Sequence, residues 1–265
     1  SSNGSSFLSE PRDAFVFIEH KSFGSLTAGQ QDTYYKQNGD KVRMLGVSSS
    51  NFVSSANVAS NPTWGNKGVS TSFNTRINGQ LLWASPRING FEVGYSLRQD
   101  PTKTATKNAS LSSVGINWTD KKYYVGLAQE VHDDYYAFSG AASTATAGSI
   151  YNAATGLRSK DTATRLSFGY RDAGVRIGAD TSKLKYTETS TQVNGFQSYK
   201  TTTYQVTGEY DLNSQITLAA QYANNAAGNC TLNGTISCST AGLGGNLVGF
   251  GAKYNLDKNF AVFAL

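Results

Sequence analysis

The chain has 265 residues, enough for one large all-β domain or two ordinary ones, and only 15% of them are charged against about 25% in ordinary soluble domains. Its net charge of +5 and pI near 9.1 come from basic residues spread along the chain, which argues against a nucleic-acid surface. No apolar run of about 18 residues exists, which excludes a transmembrane helix, whereas a mean hydropathy of −0.38 with 27 Gly, 15 Tyr, 13 Phe and 4 Pro suits a barrel with an apolar outside and a polar inside.

Residues 1–11 (SSNGSSFLSEP) read as loop, with no targeting segment. Residues 14–20 can form a strand, KSFGS a turn, and residues 25–31 its partner. The stretch from Asp32 to Thr75 follows. It has no sustained helical or strand period, and a loop this long in a compact domain is usually functional. It holds Lys36, Lys41, Arg43 and Lys67 against Asp32 and Asp40. Its scattered apolar residues (Val42, Met44, Leu45, Phe52, Val53, Trp64) suit a loop packed on a wall. A loop folded into a barrel, where it narrows a pore, is the reading these features support.

Ten further strands are expected over residues 76–85, 91–99, 110–118, 123–131, 162–170, 175–186, 201–210, 215–223, 246–254 and 260–265. The six hairpins alternate short turns with long loops, and most strands have the length a tilted strand needs to cross a bilayer, about 9–11 residues. Within them one face is apolar and the other polar, as in Leu166, Phe168 and Tyr170 against Arg165, Ser167, Gly169 and Arg171. Aromatic residues near strand ends (Tyr95, Trp118, Tyr123, Tyr170, Tyr204, Tyr210, Tyr222, Tyr254) fit belts at the two membrane interfaces. The expected fold class is therefore all-β, a transmembrane antiparallel β-barrel forming one domain over residues 1–265. Barrels of this kind begin and end on the short-turn rim. Both ends of this chain fall on the loop rim, so an odd number of strands is expected beyond each end; three before and one after would make sixteen.

A pore needs a polar inner wall and an electrostatic bias at its narrowest point. Lys36, Lys41, Arg43 and Arg76, in or just after the long loop, are the expected constriction residues, although loop lysines are often merely solvated. Alternation makes Asn78, Gln80, Glu92, Arg98, Arg165, Arg171 and Arg176 the expected pore lining, with Glu130, Asp180 and Glu209 as further acidic members of the inward set. Cys230 and Cys238 stand in a Gly/Asn/Thr/Ser stretch without a nearby His. A loop-stapling disulfide is the better reading over two free thiols, and no metal site is expected. No enzyme is expected either: the only histidines are His20 and His132, and no G-x-S-x-G elbow exists. The run GLGGNLVGFG is not followed by a helix, so it is no phosphate-binding loop. No cofactor is implied.

Residues 12–33 (RDAFVFIEHKSFGSLTAGQQDT) resemble the strand–turn–strand that precedes the constriction loop of Gram-negative general porins, of the beta-proteobacterial type. Residues 75–99 (TRINGQLLWASPRINGFEVGYSLRQ) are similar to the hairpin after that loop. The resemblance implies a sixteen-strand barrel that assembles as a homotrimer in the bacterial outer membrane, in contact with lipid and lipopolysaccharide, and passes small hydrophilic solutes and ions. Residues 32–75 would be the constriction loop. Gln30 and Leu82 stand where the family often carries basic residues, and the loop lacks an acidic cluster, so the pore charge must be read from this chain. Its excess of cations predicts a mild anion preference. A structural barrel or an adhesin working through its loops is the alternative, as is a complete twelve-strand barrel with a function at its rim.

Overall fold

The computed structural model describes residues 13–46, 55, 58, 73–101, 103–104, 108–135, 156–189, 195–234 and 236–265. In chain order the strands are β1 (Ala14–His20), β2 (Gly24–Asp32), β3 (Arg76–Ala84), β4 (Phe91–Gln99), β5 (Ser110–Thr119), β6 (Tyr123–Asp133), β7 (Ser159–Asp172), β8 (Val175–Glu188), β9 (Phe196–Asp211), β10 (Ile216–Asn225), β11 (Asn229–Leu232), β12 (Ile236–Cys238), β13 (Gly245–Asn255) and β14 (Ala261–Ala264). They form one sheet with every pairing antiparallel. Its path is β1 to β10, then β13 and β14, with β11 and β12 as a side hairpin. The path reproduces the twelve strands expected from alternation.

The edges differ where loops join the sheet. β9 starts at Phe196, well before residue 201, because β11 pairs with its loop-side end (Cys230↔Tyr199, Asn229↔Lys200). Cys230 and Cys238 lie opposite each other in the β11–β12 ladder, 5.4 Å apart at Cα, and are disulfide-bonded. The tight turn between β7 and β8 is Ala173–Gly174, both with positive φ (45° and 80°), the twist that a two-residue hairpin needs.

The two faces are inverted relative to a soluble protein. On β7, Leu166 is 50% exposed while Arg165 beside it is 1% exposed. The same holds along the sheet: Val114, Ile116, Leu127, Phe168, Val206 and Leu218 face out, while Ser113, Glu130, Ser167, Ser182, Thr203 and Gln205 are buried on the other face. Aromatic pairs edge the apolar face: Tyr123–Tyr170 (centroids 5.4 Å apart) and Phe91–Trp118 (6.4 Å) towards the short turns, Tyr204–Tyr222 (6.0 Å) towards the long loops. An apolar face left open on this scale is stable against lipid, not water.

One expectation fails on β3. Arg76, Asn78 and Gln80 were expected to share a polar face. Gly79 takes a φ of 67° and the register with β2 shifts between Gly29 and Gln31. This extra residue turns Asn78 into the exposed set while Gln80 is buried. The start of the long loop also differs from expectation: Tyr34–Asp40 form a short helix, α1, and Met44–Gly46 a 3-10 turn. Phe52, Val53, Trp64 and Lys67 lie outside the described residues.

Candidate functional site

Residues 33–46 lie across the polar face, reaching β4 at one end and β9–β10 at the other. Thr33 caps α1, its hydroxyl accepting from the Lys36 N–H at 3.3 Å. Two other N–H groups at the helix start find partners on the wall: Tyr34 N donates to Ser96 Oγ (3.3 Å) and Tyr35 N to Ser113 Oγ (2.7 Å). The Tyr34 hydroxyl donates to Glu92 Oε1 (3.0 Å) and accepts from Asn117 Nδ2 (2.9 Å). Burial and then the Glu92 carboxylate push its ionisation well above the ordinary tyrosine range. Tyr35 is fully buried, which raises its hydroxyl to about 12, and that hydroxyl donates to Ser182 Oγ at 3.1 Å.

Glycines make room for this segment. Gly94 and Gly115 are register partners on β4 and β5, and Gly169 and Gly178 on β7 and β8. A Cβ on Gly94 would stand 2.0 Å from the Tyr34 ring, and one on Gly178 would stand 2.4 Å from the Val42 carbonyl oxygen. Val42 and Met44 are buried, and Thr207 Oγ1 donates to the Val42 carbonyl (2.9 Å), so these two loop residues pack on the wall as expected. Farther towards the loops the polar face fills with an aromatic cluster of Tyr35, Phe73, Tyr186 and Tyr199. Phe73 stacks on His132 at 4.5 Å, and His132 Nε2 lies 3.0 Å from Glu130 Oε1.

The charged residues singled out from sequence divide into three groups. Lys36 is fully buried, its ammonium bridging Asp32 (2.9 Å) and Asp40. Arg43 is buried too, paired with Asp40 (2.6 Å) and donating to Asn74 Oδ1 and Ser55 Oγ. Burial alone would raise the Asp40 pKa; Arg43 and Lys36 outweigh it and hold the carboxyl below its usual 3.8. Arg165 is sealed beneath α1: its guanidinium lies 4.4 Å over the Tyr35 ring and pairs with Asp180 at 3.0 Å. The loop count already set its cations against Asp32 and Asp40, and the ion pairs identify Lys36 and Arg43 as the cations those two aspartates neutralise; Arg165 presents no free charge either.

The second group anchors the margins. Arg76 closes the loop base on Asp13 (2.6 Å) and Asp32 (3.2 Å). Gln80 donates to the Gln31 carbonyl (2.5 Å), and Arg98 donates to the Asn78 carbonyl (3.0 Å) while lying 4.9 Å over Tyr135. The third group surrounds a cavity of about 360 Å³ beside the end of α1, towards the short turns. Its cations are Lys41, Arg43, Arg87, Lys122, Arg171 and Arg176, with Glu209 the one carboxylate. Arg87 pairs with Glu92, Lys122 with Asp172, and Arg176 with Glu209 and Asp211. Lys41 and Arg171 are exposed, with no ion pair among the described residues.

Sequence reasoning did not identify Tyr34, Tyr35, Asn117 or Ser182, which hold the segment in place, and it named Asp180 only as an inward acid, not as the partner of Arg165. One signal was legible: Asp32, Lys36 and Asp40 are spaced four apart, the spacing of ion pairs on a helix.

An antiparallel sheet with a bare apolar band, aromatic edges and a buried polar face crossed by its own loop defines a β-barrel of the bacterial outer membrane. The family model described as Gram-negative porin matches residues 1–264, and the chain belongs to that family. Its fold is similar to that of the anion-selective porin from Comamonas acidovorans, with a TM-score of 0.68 at 12% identity, covering 94% of this chain and 64% of that one. It is also similar to OmpT of Vibrio cholerae (TM-score 0.63, 15% identity, 93% and 66%) and to Salmonella typhi OmpF in complex with daunomycin (0.56, 14%, 95% and 68%). The chain thus spans just under two thirds of the length of the first two. A comparison with curated proteins finds no match.

Proposed function

We propose that the whole protein is a homotrimer of sixteen-strand barrels, each a water-filled channel for passive diffusion of small hydrophilic solutes and ions, with a mild preference for anions. Residues 32–75 form its constriction. The observation that carries this reading is segment 33–46, docked across a polar, glycine-lined wall whose reverse side is apolar. Such a wall is built for water inside and lipid outside, and a segment braced across it narrows the passage without closing it by its own flexibility.

The preference for anions rests on which charges remain after pairing. Lys36, Arg43 and Arg165 are balanced by Asp32, Asp40 and Asp180. Arg176 faces two carboxylates. Lys41 and Arg171 remain, both lining the cavity beside α1. Fixed cations in a narrow passage raise the local concentration of anions, and the bias fades once the Debye length, about 8 Å at physiological salt, falls below the width of the passage. That one structural relative is titled anion-selective accords with this. Arg76, Gln80, Glu92, Arg98 and Arg176 contribute as wall or as braces.

The test is the zero-current potential of the full-length protein in a planar bilayer across a KCl gradient. Cl⁻ is expected to be more permeant, and Lys41→Gln with Arg171→Gln moves the potential towards zero. A potential showing K⁺ as the more permeant ion overturns the preference. Absence of any conductance from correctly folded trimers overturns the channel.

A further inference from the structure

The chain's one cystine stands at the outer end of the aromatic cluster whose inner end is α1. β11 takes over the lane of β10 beside β9: Ala226 N donates to the Thr202 carbonyl (3.2 Å), and from Asn229 the chain pairs with β9 again, at Lys200. β12 pairs with β11 alone among the described residues, through three residue pairs. A two-stranded hairpin this short is marginal by itself. The Cys230–Cys238 disulfide closes its open end. It thereby also holds the chain that follows, where Thr240 Oγ1 donates to the Gly228 carbonyl (3.2 Å) and Leu243 packs into the cluster. The hairpin belongs to the long-loop rim, which is the external one.

From the cystine a continuous run of packed side chains leads inward. Cys230 lies opposite Tyr199, whose hydroxyl donates to the Ala227 carbonyl (3.1 Å) at the hairpin base. A Cβ on Gly228 would stand 2.9 Å from the Tyr199 ring, so the base of the hairpin rests directly on it. The Tyr199 ring is 6.1 Å from Tyr186, Tyr186 is 5.5 Å from Phe73, and Phe73 is 6.2 Å from Tyr35, the second residue of α1. All four rings are fully buried. A close-packed interior passes a displacement on instead of absorbing it. Phe73 and Tyr35 belong to the two ends of the loop read as the constriction, so both ends of that loop share this packing.

We propose that the Cys230–Cys238 cystine is a thiol-reducible control site, and that its reduction loosens segment 33–46 through the Tyr199–Tyr186–Phe73–Tyr35 column. The proposal rests on the reading of that segment as the constriction. The reductant is a small thiol arriving from outside. Its thiolate attacks Cys238 Sγ, the half-buried sulfur, and Cys230, only 4% exposed, leaves as the thiolate and is protonated. A second thiol cleaves the mixed disulfide, freeing the Cys238 thiol and a small-molecule disulfide. The cystine gains two electrons and two protons, which the two thiols supply. The cysteines are eight residues apart. By chain entropy a ring of this size favours the closed hairpin by roughly sixtyfold, and reduction removes that factor. Leu243 and the hairpin base then lift from Tyr199, and the column loses its outer support.

The test treats full-length folded trimers in detergent with dithiothreitol and reads hydrogen exchange by mass spectrometry, with iodoacetamide labelling to follow the two sulfurs. Both cysteines are expected to become labelled without unfolding. Exchange should quicken by at least about tenfold in residues 239–244 and also in 33–46, where the Tyr35 N–H is held by Ser113, while β4 is unchanged. Reoxidation restores the slow rates, and Cys230→Ser with Cys238→Ser exchanges like the reduced protein. In planar bilayers reduction adds switching between conductance levels. Failure of both cysteines to label in the folded trimer, or faster exchange confined to residues 229–244, overturns the proposal. Reduction of the unaltered protein needs no variant to fold. A protein that conducts in neither redox state counts against the channel reading, and the exchange rates of 33–46 still decide this one.

Discussion

Replacing Gly94 by Ala tests whether the polar face positions α1. The added Cβ would lie 2.0, 2.2 and 2.4 Å from three atoms of the Tyr34 ring. Carbon atoms pack at about 3.5–4.0 Å, so the ring must retreat by about 1.5 Å. It has nowhere to slide, since its hydroxyl is held by Glu92 and Asn117 and its backbone N–H by Ser96. Overpacking costs about 1–3 kcal/mol. Losing the hydrogen bond to the Glu92 carboxylate adds about 1.5–3. Gly94 stays in β4 whether α1 is docked or not, so these two costs bear on docking directly. Together they are roughly 2.5–6 kcal/mol against the docked position of α1, enough to make an undocked segment common. Single-channel recordings of Gly94→Ala are expected to show altered conductance and frequent switching between levels. Gly208→Ala, whose Cβ would meet nothing within 4 Å, is the control and is expected to record as wild type. In a Tyr34→Ala background, Gly94→Ala is expected to add almost nothing, because the ring it strikes is gone. Wild-type conductance for Gly94→Ala, or additive effects of the two substitutions, would refute the account.

Two further outcomes follow from the braces. The depressed pKa of Asp40 gives docking energy that is present in full above the carboxyl's ordinary value of 3.8 and is lost as pH falls through the lower folded value. Conductance should therefore hold steady from neutral pH down to about 4 and change below it, while Asp40→Asn shows the acid behaviour at every pH; a profile in Asp40→Asn matching the wild type would exclude this brace as the cause. Arg165→Met leaves Asp180 buried without its cation, which costs about 3–5 kcal/mol, and should lower the unfolding temperature seen by gel shift after heating. Adding Asp180→Asn should recover much of the loss, and an unchanged temperature for Arg165→Met would show that the pair does not brace the wall.

Alternation made the strands legible because the two solvents of a barrel wall differ so sharply. Phe91, Val93, Tyr95 against Glu92, Gly94, Ser96 on β4 states both faces in six residues. The short helix was not legible. Tyr34–Asp40 includes Asn38 and Gly39, poor helix formers, and what holds it is external: the hydroxyls of Ser96 and Ser113 and the space above Gly94. The burial of Lys36 and Arg165 was hidden for a related reason. Alternation says which face a strand side chain takes, and Arg165 did take the polar face, while Lys36 lies in a stretch with no period to read. It does not say that a loop will lie over that face and cover the charge. The bulge at Gly79 shifted Asn78 by a single residue, a change that glycine permits but does not announce.

The docked segment also constrains the order in which the molecule can be built. Its far end is secured by residues made much later: Leu45 N donates to Glu209 (2.5 Å), the Val42 carbonyl accepts from Thr207, and Arg43 reaches Gln205. Pairs this distant in sequence close late, because the chain entropy of the intervening loop must be overcome first. The far end of segment 33–46, residues 42–45, therefore cannot settle until β9 has joined the sheet. A barrel stalled at β8 would hold a segment loose at its far end and a half-open wall, so the fully docked loop marks an assembly in which β9 is in place.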